Sequence, residues 1–291
     1  MGTMVRRGRP SIWWLLVAAT HLLAGVAAST LSQPASSAGT PSAGAGGRPA
    51  LCKPFGRASV VAALEELKRG RMIVVTDDED RENEGDLIMA SEFATAETVG
   101  FIVRHSSGVI CTPLPPARLD ELELPPMVAA NEDPKETAFT VSVDLKGAQM
   151  TTGISAADRA ATFRALADPT TRASDLQRPG HVFPLRPKAG GVLQRDGHTE
   201  ATMDLMRLAG LRPCGILCEV YKSSLAHFSP YVTTACFLSL YHRLCFLLLC
   251  EVVNDDGTMA RVDDLIPFCE KHGLVLTSIA DLIEYIKEGG H

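Results

Sequence analysis

The sequence lacks the features by which many proteins bind nucleic acid. No run of Lys and Arg is longer than two residues, and the formal net charge at pH 7 is −6. Because nucleic acid is bound largely through cationic contacts to its phosphates, we expect no nucleic-acid partner. With 46% apolar residues in a chain of 291, the protein can instead bury one large core or two modest ones, as globular proteins do.

The eight cysteines include no Cys-x-x-Cys pair, so the spacing typical of a structural zinc site is absent. Several cysteines lie inside apolar runs, as Cys111 does after Val109 and Ile110. Thiols in such runs are typical of buried residues in a reducing compartment, although the even number leaves disulfides open.

Acidic residues are missing from the N-terminal region, where the first one is Glu65. Residues 1–28 place arginines before an apolar stretch that ends in small residues, which is typical of a signal segment. Residues 29–54 form a Ser-, Ala-, Gly- and Pro-rich linker of the kind found in transit peptides. Together they predict import into a plastid (chloroplast), with secretion or a mitochondrial destination as alternatives, and no stable membrane span in the mature protein.

Residues 55–291 alternate between helix-length and strand-length apolar patterns. This alternation predicts an α/β (α+β) fold, a three-layer single domain in which helices flank a mixed, twisted sheet. The predicted strands cover residues 72–75, 108–111 and 137–143, the last with a half-buried alternation, and apolar structure resumes at 86–89. The first predicted helix is capped by Ser59 and ended by Gly70, and the next covers 97–105. A capping box opens the helix at 155–167, and a further helix covers 199–208. A helix, a strand and a helix follow between 262 and 286.

Residues 221–249 interrupt this alternation with a charge-poor, aromatic and Cys-rich stretch. The tripeptide Cys-Glu-Val precedes it at 218–220 and follows it at 250–252. Its apolar part falls short of the roughly 20 residues of a transmembrane helix and is broken by His242 and Arg243. We interpret the stretch as an atypical insert in the domain and hypothesise a translated intron, which sequencing of the mature transcript would test.

Seven carboxylates stand in the ten positions from Asp77 to Asp86, directly after the apolar run at 72–75. So many like charges in one turn need water, arginine or divalent cations beside them. Because strand ends are where ligands bind in sheet proteins, we interpret this loop as the acidic half of a metal-assisted active site. A solvated charge run and a module that only binds divalent metal are the alternatives.

Two histidine motifs lie downstream of the acidic loop. His181 stands in Arg-Pro-Gly-His-Val-Phe-Pro-Leu at 178–185, where a Pro-Gly turn is expected to orient its ring, although a core histidine is an alternative. His198 stands in Arg-Asp-Gly-His-Thr-Glu at 195–200 and opens a predicted helix, whose free N–H groups and dipole favour a phosphate. Either motif alone is weak evidence.

Six motifs occur in order and are specific as a set. They are Asp-Asp-Glu-Asp-Arg-Glu-Asn-Glu-Gly-Asp at 77–86, Arg-His-Ser-Ser-Gly at 104–108, Thr-Thr-Gly-Ile-Ser-Ala-Ala-Asp-Arg at 151–159, the two histidine motifs, and Asn-Asp-Asp-Gly-Thr-Met-Ala-Arg at 254–261. From about Phe55 to Ile286, leaving out the insert, the chain resembles the 3,4-dihydroxy-2-butanone 4-phosphate synthases of riboflavin biosynthesis.

This resemblance implies a carbon–carbon lyase that converts D-ribulose 5-phosphate to 3,4-dihydroxy-2-butanone 4-phosphate and formate. It also implies a homodimer that uses Mg²⁺, with Mn²⁺ as a second candidate, and no organic cofactor. By matching position, the metal ligands would be Glu82 and His198, and the essential catalytic residues would be His181 and the glutamate of Cys-Glu-Val. The substrate would contact Arg81, Glu82, Asp86, Arg195, Asp196, Gly197, His198 and Thr199.

Some features depart from the family pattern. Glu136 stands where the family usually has glycine, so the turn at this point is expected to differ. Because Cys-Glu-Val occurs twice, the catalytic glutamate is Glu219 or Glu251, and we favour Glu251 because Val-Asn-Asp-Asp-Gly follows it. Plant relatives often carry a GTP cyclohydrolase II domain after this one, for which we expect no room before His291. The insert also leaves a catalytically impaired isoform as an alternative.

Overall fold

The computed structural model describes residues 55–220 and 259–290. Within these ranges the helices are α1 (Arg57–Lys68), α2 (Ala96–His105), α3 (Pro116–Glu121), α4 (Ala156–Ala167), α5 (His198–Leu208), α6 (Val262–His272) and α7 (Ile279–Lys287). The strands are β1 (Ile73–Thr76), β2 (Gly85–Ala90), β3 (Cys111–Pro113), β4 (Val143–Leu145), β5 (Leu176–Leu185), β6 (Gly215–Glu219) and β7 (Val275–Ser278).

These strands form one mixed sheet in the order β4-β5-β3-β6-β2-β1-β7. Strands β1 and β2 pair antiparallel as a hairpin, with Val75 opposite Asp86, whereas β1 and β7 are parallel. Strand β2 also pairs antiparallel with β6, which places Asp86 opposite Glu219. The acidic residues at the end of β1, the start of β2 and the end of β6 therefore meet at one end of the sheet.

The sheet is buried on both faces because alternate residues of its strands belong to two separate cores. Val74 and Leu87 pack in a core shared with α2, α4 and α6. Ile73 and Ile88 pack in the other core, which is shared with α1, α5 and α7. This explains why β1 and β2 are buried at every position, and the predicted three-layer α/β fold with a mixed sheet is confirmed.

Most predicted helices are present, with ends that differ by one or two residues. Ser155 caps α4 by accepting the N–H of Asp158, as expected from the sequence. The prediction that Ser59 caps α1 is wrong, because α1 begins at Arg57 and Ser59 lies inside it. The Ser59 hydroxyl is buried, donates to the carbonyl oxygen of Gly56, and lies 2.8 Å from the hydroxyl of Thr277. It therefore joins α1 to β7.

The predicted strand at 137–143 is wrong for most of its length. Phe139 and Thr140 make only isolated bridges, and β4 begins at Val143. Thr140 is instead held by the carbonyl oxygen of Pro184, which accepts from its N–H at 2.9 Å and from its hydroxyl at 3.0 Å. The alternation of side chains thus reflects a segment that packs along β5 without forming a ladder. The strand predicted at 108–111 lies later, as β3.

The predicted turn at Pro179-Gly180 is also wrong, because both residues lie inside β5. The register between β4 and β5 shifts between Val143 and Asp144. A Cβ on Gly180 would come within 2.0 Å of the carbonyl carbon of Val143. Glycine is therefore required at this position by the close approach of β4.

Several predictions concern regions that lie outside the described residues, namely the segments 1–28 and 29–54, the insert 221–249, and Glu251. Within the described ranges, no helix is both long and apolar enough to cross a bilayer. The described cysteines, Cys111, Cys214, Cys218 and Cys269, are buried free thiols.

Candidate active site

The loop between β1 and β2 folds around the carboxylate of Asp77. This buried carboxylate accepts the backbone N–H groups of Glu82 at 3.2 Å and Glu84 at 2.8 Å, and the guanidinium of Arg81 at 2.7 Å. Asn83 adopts a left-handed φ of 54°, which asparagine tolerates better than most residues. The first carboxylate after β1 therefore organises the turn from inside.

His198 reaches the same place from the opposite side, as the first residue of α5. Its Nε2 lies 3.1 Å from the carbonyl oxygen of Val75. Because a carbonyl only accepts, Nε2 carries the ring proton and Nδ1 keeps its lone pair. Burial lowers the pKa of His198 to about 4, so the imidazole is neutral near pH 7. Its Nδ1 faces Asp86, with Oδ1 at 3.7 Å.

Asp77, Glu82 and His198 each offer one ligand atom, and these atoms lie within 4.8 Å of one another. Residues 55–220 and 259–290 contain no second group of three or more His, Cys, Asp or Glu side chains arranged this closely. Carboxylate oxygens suit hard divalent cations such as Mg²⁺ and Mn²⁺. The donor set of this cluster therefore fits a hard cation.

Asp86 and Glu219 add negative charge beside this cluster. Burial, followed by the charge of Glu219, raises the pKa of Asp86 well above its usual value. The Oδ1 of Asp86 is buried and accepts no hydrogen bond from the part of the chain that the structure describes. Ser107 holds Glu219 by donating its hydroxyl to Oε2 at 2.8 Å. Crowded carboxylates with an orphaned buried oxygen are the surroundings that a divalent cation would stabilise.

A cavity of about 550 Å³ opens beside the acidic loop. Its lining combines four basic side chains with four acidic ones: Arg81, Lys135, Lys188 and Arg195, and Asp78, Asp80, Glu136 and Asp196. The size suits a small metabolite, and the basic groups suit an anionic part of it.

Arg195 is held rigidly at this cavity. Its guanidinium donates to the carbonyl oxygen of Lys135 at 2.9 and 3.0 Å and pairs with the buried carboxylate of Glu200. Gly197 permits this arrangement, because a Cβ there would lie 2.2 Å from Nη1 of Arg195. The segment 195–199 thus turns Arg195 and Asp196 to the cavity and buries His198 and Thr199.

Glu136 adopts a left-handed φ of 59°, a conformation that glycine takes without the cost of about 1–2 kcal/mol paid by other residues. Its carboxylate pairs with Nζ of Lys188 at 2.9 Å on the cavity rim. The departure from glycine at this position therefore places a strained acidic residue beside a cationic side chain.

His181 forms a second group with Asp144 of β4. Its Nδ1 lies 2.7 Å from Oδ2 of Asp144, and its backbone N–H donates to Oδ1 at 2.9 Å. Gly153, with φ of 90°, packs directly against this pair, and a Cβ there would lie 2.1 Å from Oδ2 of Asp144. The His181 side chain is 40% exposed whereas that of Asp144 is 6% exposed. His181 is therefore an oriented surface imidazole whose Nε2 has no hydrogen-bond partner within residues 55–220 and 259–290, and it is not a core histidine.

The structure brings Arg81, Glu82, Asp86 and His198 together with Glu219. Arg81, Arg195 and Asp196 also line the cavity. His181 is grouped with Asp144 instead, and Glu251 lies outside the described residues. Sequence reasoning did not single out the roles of Asp77, Asp144 or Ser107. For Asp77 a signal existed, because it is the first carboxylate after a buried strand; the pairings of Asp144 and Ser107 depend on contacts across the sheet.

Residues 61–235 and 240–285 match the sequence model of the family described as 3,4-dihydroxy-2-butanone 4-phosphate synthase. Curated relatives include the riboflavin biosynthesis protein RibBA of Salinispora arenicola (strain CNS-205), which is 51% identical over 227 residues, 78% of this chain and 46% of that protein. RibBA of Aquifex aeolicus (strain VF5) is 46% identical over 228 residues, or 48% of its length. The chain thus spans about half the length of the curated relatives it matches.

Solved structures give the same result for the fold. A 3,4-dihydroxy-2-butanone 4-phosphate synthase crystallised in complex with two magnesium ions is 42% identical and superposes with a TM-score of 0.69, covering 80% of this chain and 99% of that one. The synthase of Candida albicans is 43% identical with a TM-score of 0.62, over 78% of this chain and 96% of that one.

Proposed function

We propose that this chain, which belongs to the 3,4-dihydroxy-2-butanone 4-phosphate synthase family, converts D-ribulose 5-phosphate to 3,4-dihydroxy-2-butanone 4-phosphate and formate in riboflavin biosynthesis. The observation that carries the proposal is the convergence of Asp77, Glu82 and His198 beside a cavity with basic residues in its lining. A ligand group for a hard cation next to an anion-binding cavity is what a metal-assisted reaction of a sugar phosphate requires.

Asp77, Glu82 and Nδ1 of His198 would hold Mg²⁺, or Mn²⁺ in its place, and no organic cofactor is needed. When bound, the cation would supply Lewis-acid stabilisation of the negative charge that develops on the sugar oxygens. Support comes from the orphaned Oδ1 of Asp86 and from the neutral, oriented ring of His198. A ring fixed through one nitrogen by a carbonyl oxygen is the usual arrangement of a metal-binding histidine.

The remaining residues would bind the substrate and transfer protons. Arg195, which is held in place by Glu200 and the carbonyl oxygen of Lys135, would bind the phosphate. Arg81 and Asp86 would position the sugar hydroxyls. The reaction needs proton transfers at each stage. A proton is removed beside the ketose carbonyl, a hydroxyl is lost as water, the carbon skeleton shifts, and addition of water releases C4 as formate. From the family resemblance, we propose that Nε2 of His181, which lies in the separate group with Asp144, and the carboxylate of Glu219 make these transfers.

Formate release from D-ribulose 5-phosphate tests the proposal directly. The purified full chain with Mg²⁺ should release formate, and EDTA should abolish the release. Glu82→Gln and His198→Ala should each lower the rate on the order of 10³-fold or more, because the cation contributes several kcal/mol. Glu79→Gln is the matched control, since it removes the same charge from an exposed residue of the same loop. Unchanged activity in Glu82→Gln would contradict the metal assignment.

The catalytic glutamate is proposed to be Glu219, because it faces Asp86 across the β2–β6 pair and is held by Ser107. Glu219→Gln should then lower formate release by about 10²–10⁴-fold, the usual contribution of a general acid–base. Glu251→Gln should leave the rate unchanged, and so should deletion of residues 221–252, which keeps Glu219. Loss of activity in Glu251→Gln but not in Glu219→Gln would reverse the assignment. An inactive full chain whose deletion variant is active would favour the impaired isoform.

Asp144 is proposed as a positioning residue for His181. Asp144→Asn should lower kcat by about 10²-fold or more with little change in KM, because the amide can stabilise the wrong ring tautomer. The pH dependence of kcat should also shift, which loss of a merely structural contact would not cause. Glu132→Gln, an exposed acidic residue, serves as the control. A normal kcat and pH profile in Asp144→Asn would show that His181 needs no such partner.

We also propose a homodimer and a plastid destination. The exposed apolar side chains of Met127, Val128 and Ile154 support a self-association surface. The acid-free segments at 1–28 and 29–54 support plastid import. Sedimentation of the purified chain tests the homodimer, which a monomer would contradict. The location of a fluorescent fusion of residues 1–60 tests the plastid destination, which a cytosolic fusion would contradict.

A further inference from the structure

Four aromatic rings form a cluster that the proposed reaction does not use: Phe101 and His105 of α2 with Phe268 and His272 of α6. The ring centroids of His105 and His272 are 4.9 Å apart, with an interplanar angle of 53°. Each imidazole also contacts a phenylalanine of the other helix, His105 with Phe268 at 5.7 Å and His272 with Phe101 at 5.2 Å. The cluster therefore places two imidazoles side by side across a contact between two helices.

Both imidazoles are available as ligands. No residue in 55–220 or 259–290 makes a hydrogen bond to a ring nitrogen of His105 or His272. Both side chains are only partly buried, so solvent reaches each of them. Burial, the neighbouring His272, and the charges of Arg104 and Lys271 lower the pKa of His105 to about 4. Burial and Lys271 also lower the pKa of His272. The two rings are thus neutral near pH 7, and each keeps a lone pair.

The 4.9 Å between the ring centroids is short enough for one nitrogen of each ring to reach a common ion. Two imidazoles whose nitrogens lie about 2.1 Å from a tetrahedral ion have centroids about 5 Å apart. His105 and His272 are the last residues of α2 and α6, where the helix dipoles carry partial negative charge. This charge favours a cation and offsets part of the repulsion from Arg104 and Lys271.

We propose that His105 and His272 bind one late first-row divalent cation, such as Zn²⁺ or Ni²⁺, which bridges α2 and α6 while water fills the other positions. Imidazole nitrogens select these ions, whereas Mg²⁺ prefers oxygen ligands. The chain would therefore have two metal sites of different chemistry, a hard one at the acidic loop and a softer one at these helix ends. This proposal does not depend on the proposed reaction.

Calorimetric titration of the full chain with Ni²⁺, in saturating Mg²⁺, tests the site. His105→Phe and His272→Phe are suited to the test because they keep an aromatic ring in the cluster and remove only the nitrogen ligands. The unmodified chain should bind one more equivalent of Ni²⁺ than either variant, or bind that equivalent at least 10-fold more tightly. Thiols and other histidines contribute equally to all three proteins and cancel in the difference.

Phe268→Leu is the matched control, since it disturbs the ring packing but keeps both imidazoles. It should retain the Ni²⁺ equivalent, and Ni²⁺ should raise the Tm of this variant and of the unmodified chain but not of the two histidine variants. Equal Ni²⁺ stoichiometry and affinity in the unmodified chain and both histidine variants, with unchanged circular dichroism, would overturn the proposal. The proposal would also be overturned if Phe268→Leu lost the additional Ni²⁺ equivalent while both histidine variants kept it.

Discussion

The crowding of carboxylates at one end of the sheet is the constraint on which the rest of the site depends. Asp77 is buried and folds the loop around itself, while Asp86 is buried opposite Glu219. Burial and like charge oppose the ionised form of Asp86, as its raised pKa shows. Arg81 pairs with Asp77 and Glu82, and no donor among the described residues reaches Oδ1 of Asp86. A cation bound among these oxygens would offset the repulsion between the carboxylates by coordinating them.

The fold supplies the imidazole that completes this group. The carbonyl oxygen of Val75, at the end of β1, accepts from Nε2 of His198 and so directs Nδ1 toward the carboxylates. Gly197 allows Arg195 to pass close to the start of α5, where it lines the cavity. One short segment therefore contributes to both the ligand cluster and the lining of the cavity. The His181–Asp144 pair is built in a similar way, because a buried carboxylate fixes one ring nitrogen while the other has no partner in the described part of the chain.

The layered fold could be predicted because helix-length and strand-length apolar patterns alternate along residues 55–291, and because β1 lies in a continuous apolar run that is buried on both faces. Local signals were less reliable where a tertiary contact decided the outcome. Ser59 looks like a helix cap but binds Thr277, and Pro179-Gly180 looks like a turn but lies in β5. No local pattern reveals that β4 approaches Gly180 closely enough to exclude a side chain.

The sequence likewise predicted part of the site but not the contacts that complete it. The motifs indicated Glu82 and His198, and the structure places both beside Asp77. Asp77 was not singled out among the seven carboxylates, although its place directly after a buried strand was a signal, and its burial sets it apart from the exposed residues 78–80. The partner of His181 could not be read from the sequence, since Asp144 is 37 residues away and reaches it across the β4–β5 pair.

Pulsed EPR of the protein loaded with Mn²⁺ in place of Mg²⁺ tests the central claim most directly, because it detects nitrogen nuclei bound to the ion. The account predicts ¹⁴N modulation from one directly bound imidazole, which disappears in His198→Gln and persists in His105→Phe. A Mn²⁺ signal without nitrogen coupling in the unmodified chain, or a coupling that survives in His198→Gln, would contradict the claim that the acidic loop and His198 share one cation.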